Sequence, residues 1–214
     1  MSKTLLVFDI DDTLTKTASL HIDAFIEGLK FLGVCDMDTN FGEYLHHTDS
    51  YISRVIYEKD RKQEFTQEKK NIFEDFLYSK VKQQSFAEIN GASELLQQLQ
   101  QKEDIAIAYA TGSLLKPAIL KLELINANYH PSQLVASNEI EDREGIVSRA
   151  IEQSKKMHQV ESFDRIISIG DGLWDLKTAK KLGVDFIGIG EKNEASMEAN
   201  GMQYHFNDLS KFRF

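Results

Sequence analysis

The chain has 214 residues, with 25 basic and 34 acidic side chains for a net charge of −9. At 42% apolar and 28% charged it has the composition of a folded globular protein, long enough to bury a sizeable core. The acidic balance disfavours a protein that tracks a nucleic-acid backbone, and no apolar run reaches membrane-spanning length. The apolar stretch Leu5-Leu6-Val7-Phe8 is too short for a signal peptide and runs straight into acids. Cys35 is the lone cysteine, so no internal disulfide can form. A reducing, cytoplasmic setting is expected, and Cys35 among aliphatics is read as a packing residue.

The chain opens on a continuous apolar run, Leu5 to Phe8, followed by Asp9-Ile10-Asp11-Asp12. Unbroken rather than alternating hydrophobicity fits a strand buried on both faces, as in a parallel sheet. The interval that follows is too long for one crossover helix, and its stripes are helical. Ile22, Phe25, Ile26, Leu29 and Leu32 form one stripe; Ile52, Val55 and Ile56 a second; Ile72, Phe73, Phe76 and Leu77 a third. Thr48 or Asp49 reads as the N-cap of the second of these helices, and Lys62 to Lys70 as a solvated helical face. His46 and His47 lack the partners of a zinc site and read as surface residues that could reach a substrate. His21, near the start of the first helix, is equally open.

After Asn90-Gly91-Ala92 a helix runs through Leu95, Leu96 and Leu99, and buried strands return at Ile105–Ala110, Ile166–Ile169 and Phe186–Ile189. Leu134-Val135 is a weaker candidate strand. Helices are expected from Ser113 to about Asn126, from Arg143 to about Met157, and from Trp174 to Leu182, ended by Gly183. This alternation predicts an α/β fold: a Rossmann-like parallel sheet flanked by helices, with a small all-helical domain inserted after the first strand. The expected division is an α/β core, residues 1–15 and 89–214, and a helical cap, residues 16–88.

Ligands of open α/β sheets sit outside the carboxyl ends of the strands. The residues there are Asp9 and Asp11, then Thr111-Gly112, then Asp171 with Asp175 one turn on. Four carboxylates converging on one rim repel each other unless a hard divalent cation, most simply Mg²⁺, lies among them. Each of these acids could alternatively be a plain helix cap, as could Thr111.

These residues resemble the motifs of the haloacid dehalogenase (HAD) superfamily. Val7-Phe8-Asp9-Ile10-Asp11-Asp12-Thr13-Leu14-Thr15 is similar to the first motif, Ala106 to Gly112 to the second, and Ile167 to Asp175, with its GDxxxD, to the fourth. The order and spacing cover nearly the whole chain. The resemblance implies a Mg²⁺-dependent phosphatase of a small phosphorylated metabolite, with an aspartyl-phosphate on Asp9. It also implies that Asp11 protonates the leaving oxygen and then activates water, which calls for a protonated Asp11 beside ionised acids. The Asp9 carboxylate, the Asp11 backbone carbonyl and the Asp171 carboxylate would hold Mg²⁺, Asp175 would orient the site, and Thr111 and Gly112 would hold phosphate oxygens.

The third motif departs from the family, which usually places a Lys there. The matching place here is Asp142-Arg143-Glu144, so Arg143 is expected to neutralise phosphate and nucleophile. Lys155 and Lys156 are alternatives, placed late on the same helix. Asp12 stands where Gly is commoner, and Asp tolerates unusual turn dihedrals. The acid at Asp11 disfavours the dehalogenase branch. A sugar-phosphate mutase of the β-phosphoglucomutase type shares Asp9, Asp11 and the inserted helices, and the sequence does not separate it from a phosphatase. A response-regulator-like phosphoacceptor is a remoter alternative, because receivers are shorter and place their acceptor Asp on a later strand.

Overall fold

The computed structural model describes residues 3–213. Six strands, β1 (Thr4–Phe8), β2 (Ile105–Ala110), β3 (Leu134–Val135), β4 (Arg165–Gly170), β5 (Asp185–Ile189) and β6 (Tyr204–Phe206), form one parallel sheet in the order β3-β2-β1-β4-β5-β6. Both faces are buried, which is why the strands read as continuous apolar runs. Leu6 and Phe8 of β1 join Ile107 and Tyr109 of β2 in one cluster, while Leu5 and Val7 join Ala106 and Ala108 in the other.

The first face is covered by α4 (Ala92–Gln100), through Leu95, Leu96 and Leu99, and by α5 (Leu115–Leu124), through Ala118 and Leu122. The second is covered by α6 (Arg143–His158), through Ile146, Val147, Ala150 and Ile151. Helix α7 (Leu173–Leu182) ends at Gly183, whose φ of 67° is a left-handed conformation glycine adopts without a Cβ penalty. Helix α8 (Glu194–Ala199) and β6 lie outside the expected elements; the first is six residues long and the second three.

Between β1 and β2 lie α1 (Ala18–Phe31), α2 (Asp49–Arg61) and α3 (Gln67–Lys82). They share an apolar cluster that includes Phe25, Leu29, Ile52, Ile56, Phe73 and Leu77, sealed against α5 by Leu114 and Leu120. At Gly28 a Cβ would come within 2.7 Å of the Phe73 ring, so glycine sets how closely α1 meets α3. The segments leaving and rejoining the sheet run side by side: the Lys16 N–H donates to the Ala87 carbonyl and the Ile89 N–H to the Leu14 carbonyl. Thr48 caps α2, its hydroxyl accepting from the Tyr51 N–H at 3.3 Å.

Two local expectations fail. Cys35 is exposed rather than packed, because the turn after α1 carries it past the apolar stripe. Residues 62–66 are not helical: Lys62 ends α2 in a left-handed conformation and α3 starts only at Gln67. No helix among the described residues is long and apolar enough to cross a membrane.

Candidate active site

In the strand order β3-β2-β1-β4, successive strands lie on one side of β1 and then on the other. A crevice therefore opens at the carboxyl ends of β1 and β4. Asp9 follows β1 and Asp171 follows β4, so both carboxylates enter that crevice, joined by Asp175 from the first turn of α7. Oxygens of Asp9, Asp171 and Asp175 lie within 4.8 Å of one another, and all three residues are buried. Gly170 makes this possible, since a Cβ there would sit 2.5 Å from the Asp175 carboxylate folded back over it. Asp175 also accepts the Gly172 N–H at 3.1 Å, so it caps α7 while it faces the cluster.

Arg143, the first residue of α6, is the cation at the centre. Its Nη1 and Nη2 donate to Asp9 Oδ1 at 3.3 Å, and Nη2 donates to Asp175 Oδ1 at 2.5 Å. Asp142 fixes the helix start by accepting the Gly145 N–H at 2.6 Å, which aims Arg143 into the crevice. Lys155 and Lys156 lie in the last turn of α6, at its far end. Thr111 and Gly112 stand at the end of β2; the Thr111 hydroxyl accepts the Ser113 N–H at 3.1 Å. A Cβ on Gly112 would approach the His47 carbonyl to 2.5 Å and Arg143 to 3.1 Å, so only glycine fits between them.

The electrostatics of the cluster are dominated by burial. It pushes the Asp9 carboxyl up to about 8 against the pull of Arg143, with Asp175 and Asp11 adding to the rise. Burial likewise raises Asp171 well above the ordinary carboxylate range, helped by Asp175 and Asp9, and raises Asp175 despite Arg143. One guanidinium does not neutralise three buried carboxylates. An oxygen-rich, buried, over-negative cluster of this kind suits a hard divalent cation, and the donor set fits Mg²⁺.

Asp11 differs from expectation. Its carboxylate does not join the other three but meets Lys121 of α5, whose Nζ donates to Oδ1 at 2.6 Å and Oδ2 at 2.7 Å; the Thr17 hydroxyl donates to Oδ1 at 2.6 Å. Burial acts to raise this carboxyl, but Lys121, then His21, outweigh it and bring Asp11 down to about 2. Asp11 is therefore ionised, contrary to the protonated state the motif reading calls for. The reason is a cation contributed by a distant helix, not the crowding of acids.

The Lys121 side chain is fully buried. Its Nζ also lies 3.2 Å from His21 Nδ1 and 3.2 Å from the Ser113 hydroxyl. His21 Nε2 is 2.8 Å from Asp49 Oδ2, an oxygen that accepts the Leu114 N–H at 2.9 Å as well. With the ammonium donating to Nδ1, the ring proton sits on Nε2 and points at Asp49. The buried chain Asp11–Lys121–His21–Asp49 thus ties β1, α5, α1 and α2 together. The signal for Lys121 is its spacing: 114, 118, 121, 122 and 125 are one helix face, and a lysine there is buried only when paired.

His47, read from sequence as a surface residue, and Trp174, expected only as a helix start, stack at 4.9 Å between ring centroids and line the same cavity. Arg54 of α2 grips Glu141 with two bonds, of 2.8 and 2.6 Å, just ahead of Arg143. Asp12 takes a φ of 53° and accepts the Ala18 N–H at 3.1 Å, so the turn uses the dihedral freedom expected of it.

Comparison with known proteins decides the family. The profile of the haloacid dehalogenase-like hydrolases matches residues 6–189, from β1 through β5. The chain belongs to this family. Among solved structures, the haloacid dehalogenase-like fold is shared with a variant of CbbY from Rhodobacter sphaeroides in complex with xylulose-(1,5)bisphosphate. The TM-score is 0.72 at 20% identity, covering 99% of this chain and 96% of that one. A putative β-phosphoglucomutase from Bacteroides vulgatus gives 0.71 at 15% identity, over 99% of this chain and 86% of that one. A phosphonoacetaldehyde hydrolase-like protein from Oleispira antarctica gives 0.69 at 17%, over 99% and 90%. At these identities the likeness is one of fold. No curated protein matches the sequence.

Proposed function

We propose that this hydrolase is a Mg²⁺-dependent phosphomonoesterase in which Asp9 is the nucleophile. The observation that carries the reading is the buried convergence of Asp9, Asp171 and Asp175 around Arg143 at the switch point of the sheet. An Asp9 oxygen attacks phosphorus, the P–O bond to the alcohol breaks, and the phosphoryl group rests on Asp9 until water releases it as inorganic phosphate. Thr111, the Gly112 N–H and Arg143 hold phosphoryl oxygens; Arg143 already bridges Asp9 and Asp175, which presets its fork. Asp9, Asp171 and the Asp11 backbone carbonyl are the ligands assigned to Mg²⁺, with Asp175 orienting them. When bound, the ion neutralises the carboxylates and polarises the phosphoryl group.

Asp11, ionised beside Lys121, is ready to take a proton from the hydrolytic water. For the leaving alcohol the proton comes from the Lys121 ammonium through Asp11, as charge builds on the departing oxygen. Residues 16–88 serve as a cap over the crevice; His47 on Trp174 and Arg54 on Glu141 are among its contacts with the core residues 1–15 and 89–214.

The test is release of p-nitrophenol and inorganic phosphate from p-nitrophenyl phosphate, with and without Mg²⁺, by the wild type and by Asp9→Asn. Loss of more than 1,000-fold in Asp9→Asn supports the nucleophile, since triad-like groups that act directly cost on that order. Equal rates in the two proteins would remove Asp9 from the reaction.

A further inference from the structure

The cavity over Asp9 has about 190 Å³ of free volume and is roofed by the helical segment between β1 and β2. Its floor is polar, built from the residues that would hold a phosphoryl group and a cation. The roof is different: Ala18, Ile22, Phe25, Phe41 and Ile52 all face the cavity. Apart from the His47 imidazole, which stacks on Trp174, the polar side chains of that roof are already engaged. His21 and Asp49 bind each other at 2.8 Å, and the Thr48 hydroxyl donates to the Glu141 carbonyl at 2.6 Å.

No lysine or arginine of the roof lines the cavity among the described residues. Arg54 is held by Glu141, and Lys70 donates to the Asn138 carbonyl at 3.1 Å. Lys192 lines the cavity from the other side, on the exposed loop after β5, where its neighbour Asn193 donates to the Asp171 carbonyl at 3.0 Å. Burial, with the nearby Arg143, Lys177 and His46, lowers the pKa of His47 below the ordinary histidine value, which disfavours its charged form there.

Resting on the phosphomonoesterase reading, we propose that the substrate is the monophosphate ester of a small, uncharged, largely apolar alcohol. A polyol or sugar placed under this roof would bury more hydroxyls than the His47 imidazole could partner, and each unpaired group carries a desolvation penalty. A second phosphate or a carboxylate would lie against apolar side chains and the Asp49 carboxylate, with no roof cation to meet it. The free volume is below the roughly 300–1,000 Å³ of drug-sized ligand sites, which favours an alcohol of a few carbons or one ring.

The test compares kcat/KM for n-butyl phosphate, phenyl phosphate, glycerol 3-phosphate, glucose 6-phosphate and fructose 1,6-bisphosphate, with Mg²⁺ present. Calorimetry of n-butylphosphonate and 3,4-dihydroxybutylphosphonate binding to Asp9→Asn supplies a readout independent of turnover. The expected result is at least a tenfold preference for butyl over glyceryl esters in both measurements, the scale on which an apolar pocket discriminates. Ile22→Arg, at a partly exposed position, is expected to erase the butyl preference and raise bisphosphate turnover; circular dichroism reports its fold. Equal or better use of the glyceryl, sugar or bisphosphate ester by the wild type overturns the proposal alone. Absence of Mg²⁺-dependent turnover with every ester, p-nitrophenyl phosphate included, overturns the reading beneath it and the proposal with it.

Discussion

The Lys121 ammonium of α5 lies 2.6 and 2.7 Å from the two oxygens of Asp11, across 110 residues of sequence and fully out of solvent. A buried ammonium costs several kcal/mol to desolvate unless its partners compensate. Here three do: Asp11 takes two bonds, and His21 Nδ1 and the Ser113 hydroxyl stand at 3.2 Å. The pair fixes where the Asp11 carboxylate points, into bonds with Lys121 and Thr17 rather than into the cluster of three acids.

Removing Lys121 is expected to separate esters by how much they need a proton. Nitrophenolate leaves unprotonated, whereas an alkoxide does not, so Lys121→Met should lower kcat for n-butyl phosphate at least tenfold more than for p-nitrophenyl phosphate. A purely structural lesion would lower both alike. Lys121→Met also leaves the partly buried Asp11 carboxylate without its cation, a loss of up to about 3 kcal/mol. Lys121→Met with Asp11→Asn is expected to recover much of that in thermal denaturation. Equal loss with both esters, or no recovery in the double variant, counts against the coupling.

Burial makes the Asp9 cluster a source of instability in the metal-free protein. The folded Asp9 carboxyl sits near 8 against an ordinary 3.8, so between those values the folded state holds more protons than the unfolded one. Stability therefore falls as pH rises through that window. Asp9→Asn removes this group and should melt several degrees above the wild type at pH 8 in chelator, the two converging toward pH 4. For a domain of this size about 1 kcal/mol moves Tm by roughly 2–4 °C. A wild type that melts higher than Asp9→Asn at pH 8 would mean that Asp9 is not strained by its surroundings.

Much of this was legible before any coordinates. Asp9, Thr111 and Asp171 follow strongly apolar runs, and the carboxyl ends of parallel strands share one edge, so their meeting follows from topology. Arg143 was legible because the resemblance calls for a cation where the helix before the fourth-motif strand opens, at Asp142-Arg143-Glu144. Tyr204-His205-Phe206 was not, since three residues with a central histidine carry no strand periodicity. Lys121 was hidden for another reason: a lysine between leucines reads as a solvated helix position unless the whole face is traced. His21 and Asp49 lie 28 residues apart, and only the packing of α1 on α2 brings them to 2.8 Å. Pairwise chemistry between helices depends on crossing geometry, which a periodicity does not encode.

The same raised carboxyls govern how a cation enters. At neutral pH the cluster retains protons that burial favours, and a divalent ion must displace them, because only ionised oxygens ligate well. Mg²⁺ titrated into the chelator-treated protein at pH 7 is accordingly expected to release protons. Calorimetry in two buffers of different ionisation enthalpy measures that release directly. Affinity should climb with pH by up to about tenfold per unit for each proton displaced, the share due to Asp9 ending above about 8 where that carboxyl is already ionised. Asp9→Asn should bind Mg²⁺ more weakly and with a smaller release, while Asp11→Asn, whose parent carboxyl is held near 2 by Lys121, should leave the release unchanged. Mg²⁺ affinity that stays flat from pH 6 to 8 would mean that the acids are already ionised in the empty cluster, and that Arg143 alone balances them.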